Sequence, residues 1–217
     1  STKTNSMGMR EMQERAFEKR TAQKLLIKAP PASGKSRALM FIALDKIHNQ
    51  GIKKAIIAVP EKSIGASFRN TELSKFGFFT DWKVEDRNNL CTEDGLEDRG
   101  KVTAFKRFMD SSDQVLLCTH ATLRFAFSEI PTEKFNNCLL AIDEFHHAST
   151  TNNILGDLLR DIMKNSNAHI LAMTGSYFRG DNTPIISPED ERNFEKVTYT
   201  YYEQLNGYTY LKSLGIG

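Results

Sequence analysis

Short apolar runs alternate along this chain with longer segments in which apolar side chains recur every three or four positions. The first pattern predicts buried strands, and the second predicts amphipathic helices. Strands are predicted at Leu25–Ile27, Ala55–Val59, Val115–Cys118, Cys138–Ile142 and His169–Met173. Such alternation is typical of stacked βαβ units, so we expect an α/β fold in which helices sandwich a parallel β-sheet.

Helical periodicity fills most of the intervals between these strands. Helices are predicted at 9–21, Arg37–Asn49, Ser63–Phe76, Val102–Met109, Ala121–Phe127 and Ile154–Lys164. The polar, glycine-containing stretch 86–100 predicts an exposed loop. The tyrosine-rich tail predicts a strand near 197–201 and a helix near 202–213. Since the carboxyl ends of parallel strands converge on one edge, the loops after the strands are where a ligand site is expected.

Composition narrows the class of protein. The chain has 217 residues, of which 40% are hydrophobic and 26% charged, as in an ordinary globular domain. A net charge of +2 excludes a strong overall field for nucleic acid or membrane, but it is compatible with a local basic groove. The three widely spaced cysteines argue against a disulfide scaffold or a zinc ribbon and favour a reducing compartment.

No apolar run approaches the ~18 residues that span a bilayer, and the first residues lack the apolar core of a signal peptide. We therefore expect a cytoplasmic protein without a membrane partner. A chain that starts at Ser1 and stops at Gly217 without a charged tail is expected to be a piece of a longer protein.

A phosphate-binding loop is predicted where Ala29–Ser36 (APPASGKS) follows the first strand and opens a helix. The backbone N–H groups of a tight loop and the positive end of the following helix together form an anion site. Lys35 is expected to place its ammonium against the β- and γ-phosphates of ATP, and Ser36 to offer its hydroxyl to Mg²⁺. Gly34 lets the backbone approach phosphate closely.

This loop departs from the general G-x-x-x-x-G-K-[ST] pattern, because Ala29 and Ala32 occupy positions where glycine is common. Prolines in the loop lack an N–H, so they cannot contribute to the cradle. The nucleotide-binding residues are therefore expected to be Ala32, Ser33, Gly34, Lys35 and Ser36. The competing interpretation is a surface turn with an exposed lysine.

A pair of carboxylates follows another apolar strand, Leu139–Ile142. Carboxylates at the end of a buried strand are costly unless they face solvent, a metal or a reacting group. Asp143 is suited to holding Mg²⁺, Glu144 to activating an attacking water, and His146 to sensing the γ-phosphate. Two alternatives remain, a solvated turn that caps the strand and a metal site of Asp143, His146 and His147.

With these two motifs in this order, the chain resembles the first RecA-like domain of superfamily 2 helicases and translocases of the DEAD/DEAH type. The resemblance covers about residues 9–180. Asp143-Glu144-Phe145-His146 looks like the D-E-x-H box of that family, and Arg10-Glu11-Met12-Gln13 is similar to its R-x-x-Q element. The resemblance implies catalytic roles for Lys35, Asp143, Glu144 and His146, and recognition of the adenine edge by Gln13.

Three shorter elements extend the resemblance toward nucleic acid. Ala58-Val59-Pro60 and Thr119-His120-Ala121-Thr122-Leu123 resemble the family's two backbone-contact elements, which implies that Pro60 and Thr119 meet nucleic-acid phosphates. Thr174-Gly175-Ser176 looks like the tripeptide that links the nucleotide state to nucleic-acid binding. The resemblance assigns that coupling to Thr174 and Ser176.

The resemblance implies a RecA-like P-loop NTPase domain over 1–180 and a C-terminal flank over 181–217 that leads toward a second RecA-like domain. We expect the motor domain of a helicase or translocase, similar to restriction-type enzymes, with ATP and Mg²⁺ as ligands. Single- or double-stranded nucleic acid is the expected partner, with DNA favoured. Without the second domain's arginine finger, this chain is expected to bind ATP far better than it hydrolyses it.

Two other functions compete with this interpretation. Another class of P-loop NTPase would need lid arginines or an L-S-G-G-Q-like signature, and neither is found in the sequence. A degenerate scaffold that binds ATP or nucleic acid without turnover fits the alanines at positions 29 and 32.

Overall fold

The computed structural model describes residues 3–92, 98–145, 154–175 and 188–205, apart from the side chains of Ser63, Asp98 and Pro188. In this described part, six strands form one sheet in which every neighbouring pair is parallel. They are β1 (Lys24–Lys28), β2 (Lys54–Val59), β3 (Val115–Thr119), β4 (Cys138–Ile142), β5 (His169–Thr174) and β6 (Glu195–Thr198). The expected parallel α/β architecture is confirmed.

The helices cover both faces of the sheet. They are α1 (Glu11–Phe17), α2 (Lys35–Asn49), α3 (Asp98–Asp110), α4 (His120–Glu129), α5 (Ile154–Asn165) and α6 (Pro188–Glu191), and residues 201–205 are also helical. Short 3-10 helices lie at Lys62–Phe68, Leu73–Phe76, Asp86–Asn88 and Thr132–Phe135. Among the residues described, no helix is both long enough and apolar enough to cross a membrane.

Two hydrophobic cores lie on opposite faces of the sheet. Successive residues of a strand point to opposite faces, so Leu139 packs with the core under α1 and α2, whereas Leu140 packs with the core under α3, α4 and α5. Because both faces are covered, β3 and β4 are buried at every position and read as continuous apolar runs.

The strand order β3-β2-β4-β5-β1-β6 decides which loops meet at the carboxyl edge. β5 lies between β1, which leads into the phosphate loop, and β4, which leads into the acidic pair. The residues after β5 therefore emerge between the two motifs, and those after β2 and β3 lie together at the far side.

The predicted helix at 63–76 is wrong. Two 3-10 helices, Lys62–Phe68 and Leu73–Phe76, occupy this segment with an extended break between them. Thr71 and Trp82 exchange both backbone hydrogen bonds at 3.0 Å, which requires extended backbone at Thr71. The buried indole of Trp82 also donates to the carbonyl of Phe68 at 2.9 Å. This distant pairing ends the helical turn.

The segment 86–100 is only partly the exposed loop that its composition predicts. Leu90 and Cys91 are buried, and Leu90 N–H donates to the carbonyl of Leu117 in β3 at 2.8 Å. The helix that follows begins at Asp98 rather than Val102. Burial raises the pKa of the Cys91 thiol to about 11, as it does for Cys138. These cysteines are core residues and not nucleophiles.

The C-terminal flank completes the sheet. β6 pairs with β1 in parallel, with Val197 opposite Ile27. Tyr199 is buried behind this strand, whereas Tyr202 is exposed. The predicted strand near 197–201 starts earlier in the structure, and of the predicted helix at 202–213 only residues up to 205 are described. The boundary at residue 180 stays a prediction.

Candidate functional site

The loop between β1 and α2 folds into a tight turn. Gly34 caps α2 at a φ of +90°, and Ala32 also has a left-handed φ of +63°. The N–H groups of the first helical turn, starting at Lys35, have no acceptor within the helix. The N–H and hydroxyl of Ser33 both donate to the carbonyl of Pro30, so Ser33 closes the turn inside the loop. Ser36 lies half-buried in that first turn.

Lys35 joins the phosphate loop to the acidic pair. Its Nζ donates to the carbonyl of Ala29 at 3.0 Å and lies 3.6 Å from Oε1 of Glu144. Both charged side chains are almost completely buried. The ammonium and the carboxylate are thus desolvated together at the edge of the sheet, where their interaction is much stronger than in water.

Gln13 packs directly on the loop. Its side chain is buried, its Oε1 accepts the N–H of Arg10 at 2.8 Å, and its Nε2 donates to the carbonyl of Gly34 at 3.0 Å. A Cβ on Gly34 would lie 2.5 Å from this Nε2 and 2.9 Å from Nη2 of Arg10. The left-handed backbone conformation therefore favours glycine here, and a Cβ would in addition displace the ends of these two side chains.

The acidic pair sits on a bent connection after β4. The N–H of Asp143 donates to the carbonyl of Ala58 in β2 at 2.9 Å, which extends the sheet pairing by one residue. Glu144 then adopts a left-handed φ of +50°, and its N–H donates to Oδ1 of Asp143 at 3.0 Å. Both carboxylates are buried. The left-handed backbone conformation of Glu144 is strained, because only glycine adopts it without cost.

The end of β5 lies against the phosphate loop. The carbonyl of Thr174, a fully buried residue, accepts the N–H of Ala29 at 3.1 Å. A Cβ on Gly175 would lie 3.0 Å from Nζ of Lys35 and 3.3 Å from the carbonyl oxygen of Ala29. The sequence identified this tripeptide, but it gave no sign that the glycine approaches the lysine.

Pro60 and Thr119 lie side by side at the far end of the same edge, since Val59 pairs with Thr119. Thr119 caps α4, and its Oγ1 accepts the N–H of Thr122 at 3.2 Å. The sequence places His120 in this motif without a role of its own. Its Nε2 lies 2.9 Å from the carbonyl oxygen of Asp143, so it links the residues that follow β3 and β4, two strands that are not neighbours in the sheet.

One contact with the phosphate loop could not be predicted from the sequence. Nε2 of Gln204 donates to the carbonyl of Ala32 at 3.5 Å, from the helical turn that follows β6. Arg15 holds this turn against α1 by binding the carboxylate of Glu203 at 3.2 Å. The C-terminal flank therefore touches the phosphate loop.

The structure thus brings Gln13, Lys35, Glu144 and Gly175 into one region, with Ser36 and Asp143 on the same edge. His146 and Ser176 lie outside the described residues. Among the described residues, no three carboxylate, histidine or cysteine side chains cluster as a metal site.

The sequence matches a known family model over most of its length. The model described as "Type III restriction enzyme, res subunit" matches residues 6–179. A protein of Bacillus subtilis (strain 168) named "Putative ATP-dependent helicase YeeB" is 67% identical over 218 residues. That alignment covers 100% of this chain but 36% of the Bacillus protein, so the chain spans about a third of this relative's length.

Solved helicase structures share the fold at low sequence identity. The Hef helicase domain of Pyrococcus furiosus superposes with a TM-score of 0.60 and 18% identity, over 89% of this chain and 39% of that one. The UvsW helicase of bacteriophage T4 gives a TM-score of 0.56 and 15% identity, over 92% and 62%. The helicase MrfA, solved bound to DNA and AMPPNP, gives 0.57 and 16%, over 88% and 27%. These similarities confirm the RecA-like fold.

Proposed function

Because this chain belongs to the family of the type III restriction enzyme res subunit, we propose that it is the ATP-binding motor domain of a superfamily 2 DNA helicase or translocase. Membership confirms the resemblance to the first RecA-like domain of that superfamily. The observation that carries the proposal is the meeting of two motifs, in which the ammonium of Lys35 lies 3.6 Å from the carboxylate of Glu144. A lysine that can bind phosphate, placed near a candidate general base, supports hydrolysis of a nucleoside triphosphate as the reaction.

ATP is the proposed substrate. The N–H groups of the first turn of α2 and the ammonium of Lys35 would form a positively charged site for its phosphates. Gln13, fixed on the carbonyl of Gly34, is the proposed contact to the adenine edge. Glu144 is the proposed base that orients the attacking water, and His146 the proposed sensor of the γ-phosphate.

Ser36 and Asp143 are the proposed Mg²⁺ ligands. Their hydroxyl and carboxylate oxygens suit this hard cation, and they lie on one edge of the sheet. A bound Mg²⁺ would neutralise charge on the phosphate oxygens. Because these two residues supply only two oxygen ligands, the affinity for Mg²⁺ should depend on the bound nucleotide.

Nucleic acid is the proposed partner of the opposite end of this edge. Pro60 follows β2 and Thr119 ends the adjacent β3, and the N-terminal turn of α4, which Thr119 caps, offers backbone N–H groups that could bind phosphate. MrfA, a structural neighbour, was solved bound to DNA. Thr174 and Ser176 are the proposed link between the two ligands, and a second RecA-like domain in the complete protein is the proposed source of the arginine finger.

The nucleotide site is tested by titrating a fluorescent ATP analogue with Mg²⁺ into this chain and into Lys35→Ala. We expect micromolar binding that the substitution weakens by about 10- to 100-fold, since a hydrogen bond to a charged group contributes roughly 1.5–3 kcal/mol. Lys83→Ala, on an exposed lysine, is the matched control and should bind normally. Wild-type and Lys35→Ala chains with equal affinity would contradict the proposal.

Nucleic-acid binding is tested separately with a labelled single-stranded oligothymidylate. Binding through phosphates predicts an affinity that falls steeply with salt and varies little with base sequence. Thr119→Val keeps the shape of the side chain but removes its hydroxyl, and we expect it to weaken binding a few-fold. Thr103→Val on α3 serves as the control. No binding at low salt would exclude this chain as a nucleic-acid-binding domain.

A further inference from the structure

The peptide that joins Asp143 to Glu144 is held at both of its polar groups. Its carbonyl oxygen lies 2.9 Å from Nε2 of His120, and its N–H donates to Oδ1 of Asp143 at 3.0 Å. Because a carbonyl oxygen only accepts, Nε2 of His120 must carry the proton in this contact. Neither hydrogen bond belongs to the sheet ladder.

This peptide determines where the side chain of Glu144 points. A φ of +50° places Glu144 in the left-handed region, which is strained for a residue with a Cβ. The ordinary way to relieve that strain is a rotation of the preceding peptide, which changes the φ of Glu144. Such a rotation would turn the carbonyl of Asp143 away from His120. The histidine therefore holds the strained conformation.

His120 reaches this peptide from a separate part of the fold. It is the first residue of α4, directly after β3, whereas Asp143 follows β4, and β2 lies between the two strands. The N–H of Asp143 is fixed in turn by the carbonyl of Ala58 in β2. The carboxyl ends of three strands are thereby tied together at the acidic pair.

We propose that His120 is a positioning residue that aims the carboxylate of Glu144 at the nucleotide site. The inference rests on the proposed function, because it assumes that Glu144 acts as the base in ATP hydrolysis. The sequence motif that contains His120 is assigned to nucleic-acid contact, whereas this inference gives His120 a role in positioning Glu144. Since His120 adjoins Thr119, it also ties that element to the acidic pair by a single side chain.

The test is single-turnover hydrolysis of radiolabelled ATP with an excess of this chain, which detects even slow turnover. His120→Ala should lower the rate at saturation by about 10- to 100-fold, because small misplacements of a catalytic group have effects of this size. Its affinity for the ATP analogue should stay within about twofold of wild type, since the phosphate contacts are intact. His120→Gln can present an amide N–H near the position of Nε2, so it should recover most of the rate.

His48→Ala, on an exposed histidine of α2, is the matched control and should hydrolyse ATP at the wild-type rate. Thermal unfolding of each variant shows whether the fold is intact. A wild-type rate in His120→Ala overturns the inference, and so does an equal loss in the alanine and glutamine variants. If wild type binds the ATP analogue no more tightly than Lys35→Ala, the proposed function itself fails, and that result is distinct from either of the others.

Discussion

Helix α2 carries a buried lysine near each of its ends, and the fold surrounds these two lysines in opposite ways. Lys35 is the first residue of the helix, and Lys46 follows three turns later on the same face. Lys46 donates to the carbonyl of Ala22 at 3.0 Å and contacts Nδ1 of His169 at 2.7 Å. Lys35 lies instead between a loop carbonyl and a carboxylate.

The backbone around the two lysines differs even more than their partners. Near Lys35, the non-glycine residues Ala32 and Glu144 both have left-handed φ angles. At the other end, the carbonyl of Lys46 accepts the N–H groups of Gln50 and Ile52, and the helix ends regularly. Strained non-glycine backbone in direct contact with Lys35 favours a ligand site there, whereas the regular helix end at Lys46 fits a structural network. A buried charge alone does not distinguish them.

The largest expected effect comes from removing the structural lysine. Burial lowers the pKa of Lys46 to about 8, with the charge of Asp45 acting in the other direction. Lys46→Ala leaves the carbonyl of Ala22 without its donor and creates a cavity, so the free energy of unfolding should fall by about 3 kcal/mol. Urea unfolding measures this loss, and the affinity of the folded chain for the ATP analogue should not change.

Lys53→Ala, on an exposed lysine just beyond α2, controls for the general effect of removing a charge and should cost under about 0.5 kcal/mol. If Lys46→Ala loses less than about 1 kcal/mol, or if it weakens nucleotide binding as Lys35→Ala does, the two ends of α2 are not functionally distinct.

The second-largest expected effect is a change in the free energy of unfolding with pH, caused by His169 at the Lys46 end of α2. Burial, with the charge of Lys46 as a second cause, lowers the pKa of His169 from 6.5 to about 4. The folded-state pKa lies below the unfolded one, so this contribution to stability is complete above pH 6.5 and is lost as the pH falls through about 4. After discounting for the half-exposed ring, the loss should be about 1–2 kcal/mol.

His169→Asn isolates this titration from that of the carboxylates. The asparagine Oδ1 can accept from Lys46 near the position of Nδ1 but does not titrate. The stability of wild type relative to this variant should therefore decline between pH 6.5 and 4 in urea titrations. A pH-independent difference would show that the ring is not held neutral in the folded protein.

The local motifs of this site can be predicted from the sequence, whereas the contacts that shape the backbone around them cannot. The phosphate loop and the acidic pair are local motifs, and the strand alternation predicted the sheet that brings them together. The break at Thr71 depends on Trp82, and the orientation of the peptide after Asp143 depends on His120, so both depend on residues beyond the reach of a local helical or strand repeat. Local periodicity carries no information about such contacts.

A smaller effect is expected from relieving strain in the phosphate loop. Ala32→Gly removes the Cβ from a left-handed position, and the stability should rise by about 0.5–1 kcal/mol after the entropy of the unfolded glycine is counted. Ala104→Gly in the middle of α3 is the opposite case and should lose about 1 kcal/mol. A loss of stability in both variants would mean that the loop is not strained at Ala32.

The smallest effect tests how closely the end of β5 approaches Lys35. In Gly175→Ala the new Cβ lies 3.0 Å from Nζ of Lys35, so the ammonium must shift by a few tenths of an ångström. We expect about threefold weaker binding of the ATP analogue, equivalent to roughly 0.6 kcal/mol. Gly156→Ala in α5 is the matched control, because its Cβ meets nothing within 4 Å and it should bind normally. Unchanged affinity in Gly175→Ala would mean that Lys35 moves away from β5 when nucleotide binds, and the two lysines of α2 would then differ in freedom of movement as well as in partners.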